Sequence, residues 1–385
     1  MKHLDFLIKP VSRACNMRCS YCFYEDITKH RHTKAPARMS EDLVTKLLSE
    51  AFSLLDGSGG SVHFAFQGGE PTLAGLSFYQ NFVFKAQALC PRGTTLSYSM
   101  QTNGLILNEL WARFFFEHHV LVGISIDGFE QLHDRYRKDA HQEATYAQVR
   151  TAFCLLKEHQ VDVNALCVVT KECAHNARKV YRELKRMGAD FIQFIPCLDP
   201  IEVPRGSMPY SLLPEDYGTF LCEVFDLWYG DLKRDHYHII RLFDDYVHLS
   251  MEHMLTGSDS ACGSCAGTCA TTGNCGGYSV VESDGTLYPC DFYTTDEWAL
   301  GNLSEQSLSS LLTCRTQKAF LSSGKQKPAE CKDCRWRHLC NGGCKNDWIS
   351  GPHNYYCKSL KTFFAYVENR LTELAQMELR LARPF

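Results

Sequence analysis

Apolar side chains fall at every second position through Val161, Val163, Ala165, Cys167 and Val169, the period of a β-strand. Runs of strand length and character also occur at Phe6–Val11, Val62–Phe66, Leu96–Gln101, Val120–Ile126 and Phe191–Ile195. Between them lie stretches with helical spacing, at Ser40–Leu55, Phe78–Leu89, Asn108–His118, Tyr146–His159 and Asn176–Met187. Ser40 suits an N-cap, because its hydroxyl can accept from a backbone N–H of the first turn. Glu41 and Asp42 complement the positive end of the helix dipole. Strand and helix therefore alternate from about residue 5 to 200, which predicts an α/β fold, a partial (β/α)6 TIM-like barrel. Such a fold carries its working residues on the loops that follow the strands' C-terminal ends.

The pattern changes after Pro200. Residues 201–258 read as a helical bridge, with helices expected over Pro214–Tyr229 and His238–Met254 and no strand pattern of note. Residues 259–385 are expected to form a cysteine-rich C-terminal domain that ends in an amphipathic helix. The helix's stripe of Leu360, Phe363, Phe364, Val367, Leu371 and Leu374 is expected to pack into the core.

Composition narrows the function classes. A chain of 385 residues with 45% hydrophobic residues can bury a sizeable core, and a net charge of −4 argues against a nucleic-acid partner. No run of about 18 apolar residues occurs, so no membrane association is expected. The apolar stretch within Met1–Ile8 is too short for a signal peptide, which leads us to expect a cytoplasmic protein. Twenty cysteines in a reducing compartment read as metal ligands rather than as a disulfide framework.

Three of these thiols, Cys15, Cys19 and Cys22, follow the first strand with the spacing Cys-x3-Cys-x2-Cys, and Tyr21 directly precedes the last. A cubane iron–sulfur cluster that only carries electrons takes four thiolates, so three on one loop suggest an iron left open for a ligand. Cys-x2-Cys alone is also a zinc pattern. Eight more cysteines, Cys269, Cys275, Cys290, Cys331, Cys334, Cys340, Cys344 and Cys357, suffice for two fully ligated clusters or two zinc sites. Cys262 and Cys265 are extra thiols that could compete as ligands. Cys90, Cys154, Cys167, Cys173, Cys197, Cys222 and Cys314 read as ordinary small hydrophobes.

Other motifs follow the same strands. Gln67-Gly68-Gly69-Glu70-Pro71 comes after the second, where glycines let backbone approach a ligand closely. Ser125-Ile126-Asp127-Gly128 ends the fourth, and His133-Asp134-Arg135-Tyr136-Arg137 comes soon after. The triad, the Gly-Gly-Glu-Pro element and this serine–arginine arrangement together resemble the radical S-adenosylmethionine (radical SAM) enzymes. The C-terminal cysteines are similar to the SPASM extension of the peptide-modifying branch. The run Glu282-Ser283-Asp284-Gly285-Thr286-Leu287-Tyr288-Pro289-Cys290-Asp291-Phe292-Tyr293 resembles the anaerobic sulfatase-maturating enzymes, as do Cys22-Phe23-Tyr24-Glu25-Asp26 and Gln193-Phe194-Ile195-Pro196-Cys197-Leu198-Asp199-Pro200.

The resemblance implies three [4Fe–4S] clusters. One would be held by Cys15, Cys19 and Cys22, one by Cys269, Cys275, Cys290 and Cys344, and one by Cys331, Cys334, Cys340 and Cys357. It further implies S-adenosylmethionine bound near Tyr21, Gly69, Ser125, Arg137 and Leu198, with Arg137 suited to a carboxylate by its planar fork. Asp291 would be the proton acceptor, with Tyr24 and Gln67 near the substrate. The implied reaction oxidises a cysteine or serine of a sulfatase polypeptide to formylglycine, with electrons from a donor such as flavodoxin or ferredoxin. Thioether crosslinking of a peptide is the alternative on the same scaffold, and a non-catalytic zinc protein the alternative outside it.

Overall fold

Six parallel strands follow one another across a sheet in chain order: β1 (His3–Lys9), β2 (Gly60–Phe66), β3 (Thr94–Thr102), β4 (Val120–Ser125), β5 (Val163–Val169) and β6 (Phe191–Pro196). Each pairs in parallel with the next. The computed structural model describes residues 2–31, 38–55, 59–257, 268–349 and 351–381. Helices Glu41–Ser53, Leu76–Leu89, Glu109–Glu117, Tyr146–Glu158 and Ala177–Arg186 make the crossovers, so the expected α/β architecture is present. Ser40 caps the first of them by accepting from the Leu43 N–H at 3.2 Å, and Asn108 caps the third through Leu110 and Trp111. The strict alternation of 161–169 overstates its strand by two residues. Val161 donates its N–H to Leu156 O and closes the preceding helix, behind Gln160 at a φ of 57°.

The sheet is wider than the sequence pattern indicates. Beside β6 lies β7 (Ile239–Ile240), a pairing inside the stretch read as free of strands. At the other edge β8 (Ser279–Glu282) lies parallel to β1, followed by β9 (Thr286–Tyr288) and β10 (Gly301–Asn302), each antiparallel to its predecessor. The β1–β8 register runs from Phe6 opposite Ser279 to Lys9 opposite Glu282, so the cysteine-rich half is built into the first sheet.

Helices Pro214–Leu232 and Arg241–Thr256 pack against the terminal helix Cys357–Leu381. Phe363 sits 5.7 Å from both Phe225 and Phe243, and Phe364 meets Tyr246 edge-on at 5.0 Å. The apolar stripe is core packing, as its spacing suggests. Among the described residues no helix is long and apolar enough to cross a membrane.

Candidate functional site

The loops after the first four strands converge on the cysteine triad. Gly69 and Glu70 donate their N–H groups to Ser12 O and Ala14 O, each at 2.7 Å. On the other side Arg18 N–H reaches Lys138 O, Ser20 N–H reaches Tyr136 O, and Ala140 N–H reaches Asn16 O. Asn103, just past β3, donates to Asn16 Oδ1 at 2.7 Å. Gly69 is required sterically, since a Cβ there would lie 2.2 Å from Ala14 O. Behind it the buried Glu70 carboxylate accepts from Thr72 N, Thr102 Oγ1 and Asn103 N at 2.6–3.0 Å. Burial pushes this carboxyl up, against hydrogen bonds that favour its ionised form.

Burial also raises the triad's thiols, Cys15 to about 11 and Cys19 to about 12, with Cys22 raised as well. Bare thiolates are therefore unfavourable here. A polycationic iron centre would reverse that balance, so the donor set fits an iron–sulfur cluster. Among the described residues no three His, Cys, Asp or Glu side chains are grouped to hold one metal ion. A cubane spreads its thiolates over separate irons and does not require such a group.

Beside the triad, Asp127 is buried and organises the neighbouring motifs. It accepts from Arg137 Nε and from Val168 N–H, both at 3.0 Å, and from the Tyr21 hydroxyl. The Arg137 guanidinium lies 5.4 Å from the Tyr21 ring centre. His133 Nδ1 accepts from Asp127 N–H at 3.2 Å, so Nε2 carries the proton and donates to Thr145 Oγ1, which donates to Arg137 O. Burial drives His133 down to about 4 and keeps it neutral. Ser125 is buried at the end of β4, and Leu198 is half-buried two residues past β6. Tyr21, Gly69, Ser125, Arg137 and Leu198 thus all lie at or beyond strand C-terminal ends, on the side where the triad sits.

Asp291 lies in a second cluster, where β1 meets β8. Its carboxylate forms a buried ion pair with Lys9, and Gln67 Nε2 donates to Oδ2 at 3.3 Å. Oδ1 is the oxygen that faces the Lys9 ammonium. Lys9 Nζ also lies 3.4 Å from the Tyr24 ring centre, whose hydroxyl donates to Glu282 Oε1 at 2.7 Å. Glu282 pairs with Arg31 Nη1 at 2.8 Å, and Arg31 Nη2 is buried without a hydrogen-bond partner. A buried guanidinium nitrogen without a partner marks a place where a ligand or water completes the bonding. Tyr24, Gln67 and Asp291 are therefore brought together, and Lys9 joins them. The sequence reading missed Lys9, Glu282 and Arg31. Lys9 directly follows the apolar run Phe6-Leu7-Ile8, a position that carries meaning only once β8 lies beside β1.

The C-terminal cysteines fall into two neighbourhoods. Cys269 and Cys344 share a hydrogen bond, which draws the Cys269 thiol down, and the charge of Cys269 acts on Cys275 and Cys290. Cys331, Cys334, Cys340 and Cys357 line one cavity with Trp336, Leu360 and Phe364. Both groupings fit four-thiolate clusters. Cys262 and Cys265 lie outside the described residues. Cys167, Cys173 and Cys197 are buried in the core, and Cys90, Cys154, Cys222 and Cys314 are half-buried.

Residues 10–192 match the radical SAM superfamily, and residues 273–335 match SPASM, an iron-sulfur cluster-binding domain. That second match favours iron over zinc for the C-terminal cysteines. Over 381 residues the chain is 40% identical to a cysteine-type anaerobic sulfatase-maturating enzyme of Clostridium novyi, covering 98% of each. It is 32% identical over 362 residues to a serine-type enzyme of Klebsiella pneumoniae, covering 93% of this chain and 86% of that one. The fold is similar to that of native anSMEcpe with bound AdoMet and Kp18Cys peptide, with a TM-score of 0.87, 37% identity and coverage of 97% and 99%.

Proposed function

The chain belongs to the anaerobic sulfatase-maturating enzymes of the radical SAM superfamily, and from that membership we propose that it oxidises a cysteine or serine of a sulfatase polypeptide to Cα-formylglycine. The observation that carries this reading is the meeting of Asp291, Gln67, Lys9 and Tyr24 where the radical SAM sheet joins the strand leading to Cys290. The higher identity to the cysteine-type relative favours a thiol substrate.

In this reading Cys15, Cys19 and Cys22 hold one [4Fe–4S] cluster. Cys269, Cys275, Cys290 and Cys344 hold a second, and Cys331, Cys334, Cys340 and Cys357 a third. Tyr21, Gly69, Ser125, Arg137 and Leu198 form the S-adenosylmethionine site. Bound together, the first cluster and S-adenosylmethionine supply the radical that removes a hydrogen atom from the substrate's β-carbon. Asp291 then takes the thiol or hydroxyl proton, while Gln67 holds Oδ2 and Lys9 faces Oδ1. Lys9 provides the counter-charge that lets a carboxylate persist in a buried site, and Tyr24 closes over the ammonium. Loss of one hydrogen atom to the radical, one proton to Asp291 and one electron, which the auxiliary clusters would accept when bound, leaves a thioaldehyde from cysteine, and water converts it to the aldehyde with release of hydrogen sulfide. From serine the same loss gives the aldehyde directly.

The functional division we propose is 1–200 for radical generation, 201–258 as a bridge and 259–385 for the auxiliary clusters. A cytoplasmic location and a flavodoxin- or ferredoxin-like donor complete the proposal. Mass spectrometry after anaerobic incubation with cysteine- and serine-type sulfatase peptides tests it. An aldehyde at the target residue is expected, and an intact side chain or a thioether crosslink overturns it.

A further inference from the structure

Between the two C-terminal cysteine groups lies one lysine. The Lys327 ammonium donates to Gly273 O at 2.6 Å, on the loop joining Cys269 to Cys275. Its stem crosses Gly342, between Cys340 and Cys344, so closely that a Cβ at Gly342 would lie 2.9 Å from Lys327 Cδ. Asn341 fastens the same two loops together by donating to Thr272 O at 2.8 Å. Trp348 walls the site, with its ring centre 5.2 Å from the ammonium and its Nε1 donating to Gly342 O at 3.1 Å.

The charges that act on Lys327 come from both groups, Cys275 and Cys344 of one and Cys331 and Cys340 of the other. Lys345 is different. Its ammonium bonds Ser323 Oγ, faces the rings of Tyr293, Trp298 and Phe320 at 4.2–4.8 Å, and is acted on by Glu297 and, among the cysteines, by Cys275, Cys290 and Cys344 of the first group. Two nearby acids have their own partners: Asp347 pairs with Arg205 at 3.4 Å, and Glu330 meets His353 at 3.0 Å.

We propose that Lys327 is a counter-charge shared by the two auxiliary clusters, setting their reduction potentials together, and this rests on both groups holding iron–sulfur clusters. A reduced cluster carries one more negative charge than the oxidised one, so a nearby ammonium stabilises reduction. Half burial between the groups leaves this effect less screened than at an open surface. Lys327 is thus a positioning residue for electrons and touches no substrate.

The test is an EPR-monitored redox titration of the anaerobically reconstituted full chain. Signals of the two clusters are assigned by comparison with Cys331→Ala. Lys327→Met removes the charge and keeps the stem, and Lys327→Gln keeps a donor for Gly273 O. Both are expected to shift both midpoint potentials to more negative values, Lys327→Arg to restore them, and Lys345→Met to shift only the cluster held by Cys269, Cys275, Cys290 and Cys344. Unchanged potentials in the Lys327→Gln chain, or a shift of one cluster alone, would overturn the shared role. Iron and sulfide content separates the two claims: a parent chain that lacks either auxiliary cluster sinks the cluster assignment itself, whatever Lys327 does.

Discussion

Replacing Asp291 by asparagine keeps the shape of the side chain and removes its charge and basicity. A positioned general base contributes about 10²–10⁴ in rate, or roughly 3–5 kcal/mol at 1.36 kcal/mol per decade. Aldehyde formation is expected to fall by that factor, while S-adenosylmethionine cleavage continues because neither the triad nor the Asp127–Arg137 pair is touched. A stability cost accompanies the change. Lys9 and Asp291 expose only 1% and 6% of their side chains, and breaking such a buried pair costs about 3–5 kcal/mol. That loss is read as a lower denaturation midpoint in cluster-loaded protein. Lys9→Met combined with Asp291→Asn removes the stranded charge, so stability should recover while aldehyde formation does not. The assay measures 5'-deoxyadenosine by chromatography and formylglycine by mass spectrometry in one reaction. Aldehyde made at the parent rate by Asp291→Asn would refute the base assignment, and an equal loss of both products would make the effect structural.

Gly69→Ala places a Cβ 2.2 Å from Ala14 O, so the cysteine loop must shift; loss of the triad's iron with the C-terminal iron retained is expected from metal analysis of matched Cys15→Ala and Gly69→Ala chains. Asp127→Asn removes the counter-charge of Arg137 and should weaken S-adenosylmethionine binding by about tenfold or more, measured by equilibrium dialysis, with unchanged affinity as the contrary result. His133 titrates near 4 when folded against an ordinary 6.5, so the unfolded chain binds more protons between those values. Its contribution is complete above pH 6.5 and falls with acidification, by about 2 kcal/mol at pH 5; unfolding measured at both pH values, with His133→Gln as the flatter comparison, checks the sign.

Much of the radical SAM half was legible because its order is local. Each helix and strand carries its own period, and Ser40 and Asn108 signal helix starts through hydrogen bonds only a turn long. The placement of the triad, Gly69 and Arg137 beyond strand ends, and of Ser125 at one, was legible because each motif borders a strand. Long-range pairing was not. The strand β8 has four residues, all buried, so no alternation marks it, although the Asp284-Gly285 turn after it is a strong hairpin signal. Glu282 and Lys9 become informative only once β1 and β8 are aligned. Lys327 stood out even less, since only the folded chain sets Gly273 beside Gly342.

The pairing of β1 with β8 also orders events in time. During synthesis β1 gains β2 early, yet its other edge waits for residues 279–282, from the last third of the chain. An unpaired apolar edge is a hazard for association with other chains, and the buried Lys9 at its end is a residue of the kind that discourages such contacts. Until β8 docks, Lys9 lacks Asp291, so the nascent chain can form its triad loop before the proton acceptor of the proposed reaction is in place. Competence for the complete reaction is therefore a property of the finished polypeptide, and a truncation before residue 279 should leave a protein able at most to engage its cofactor.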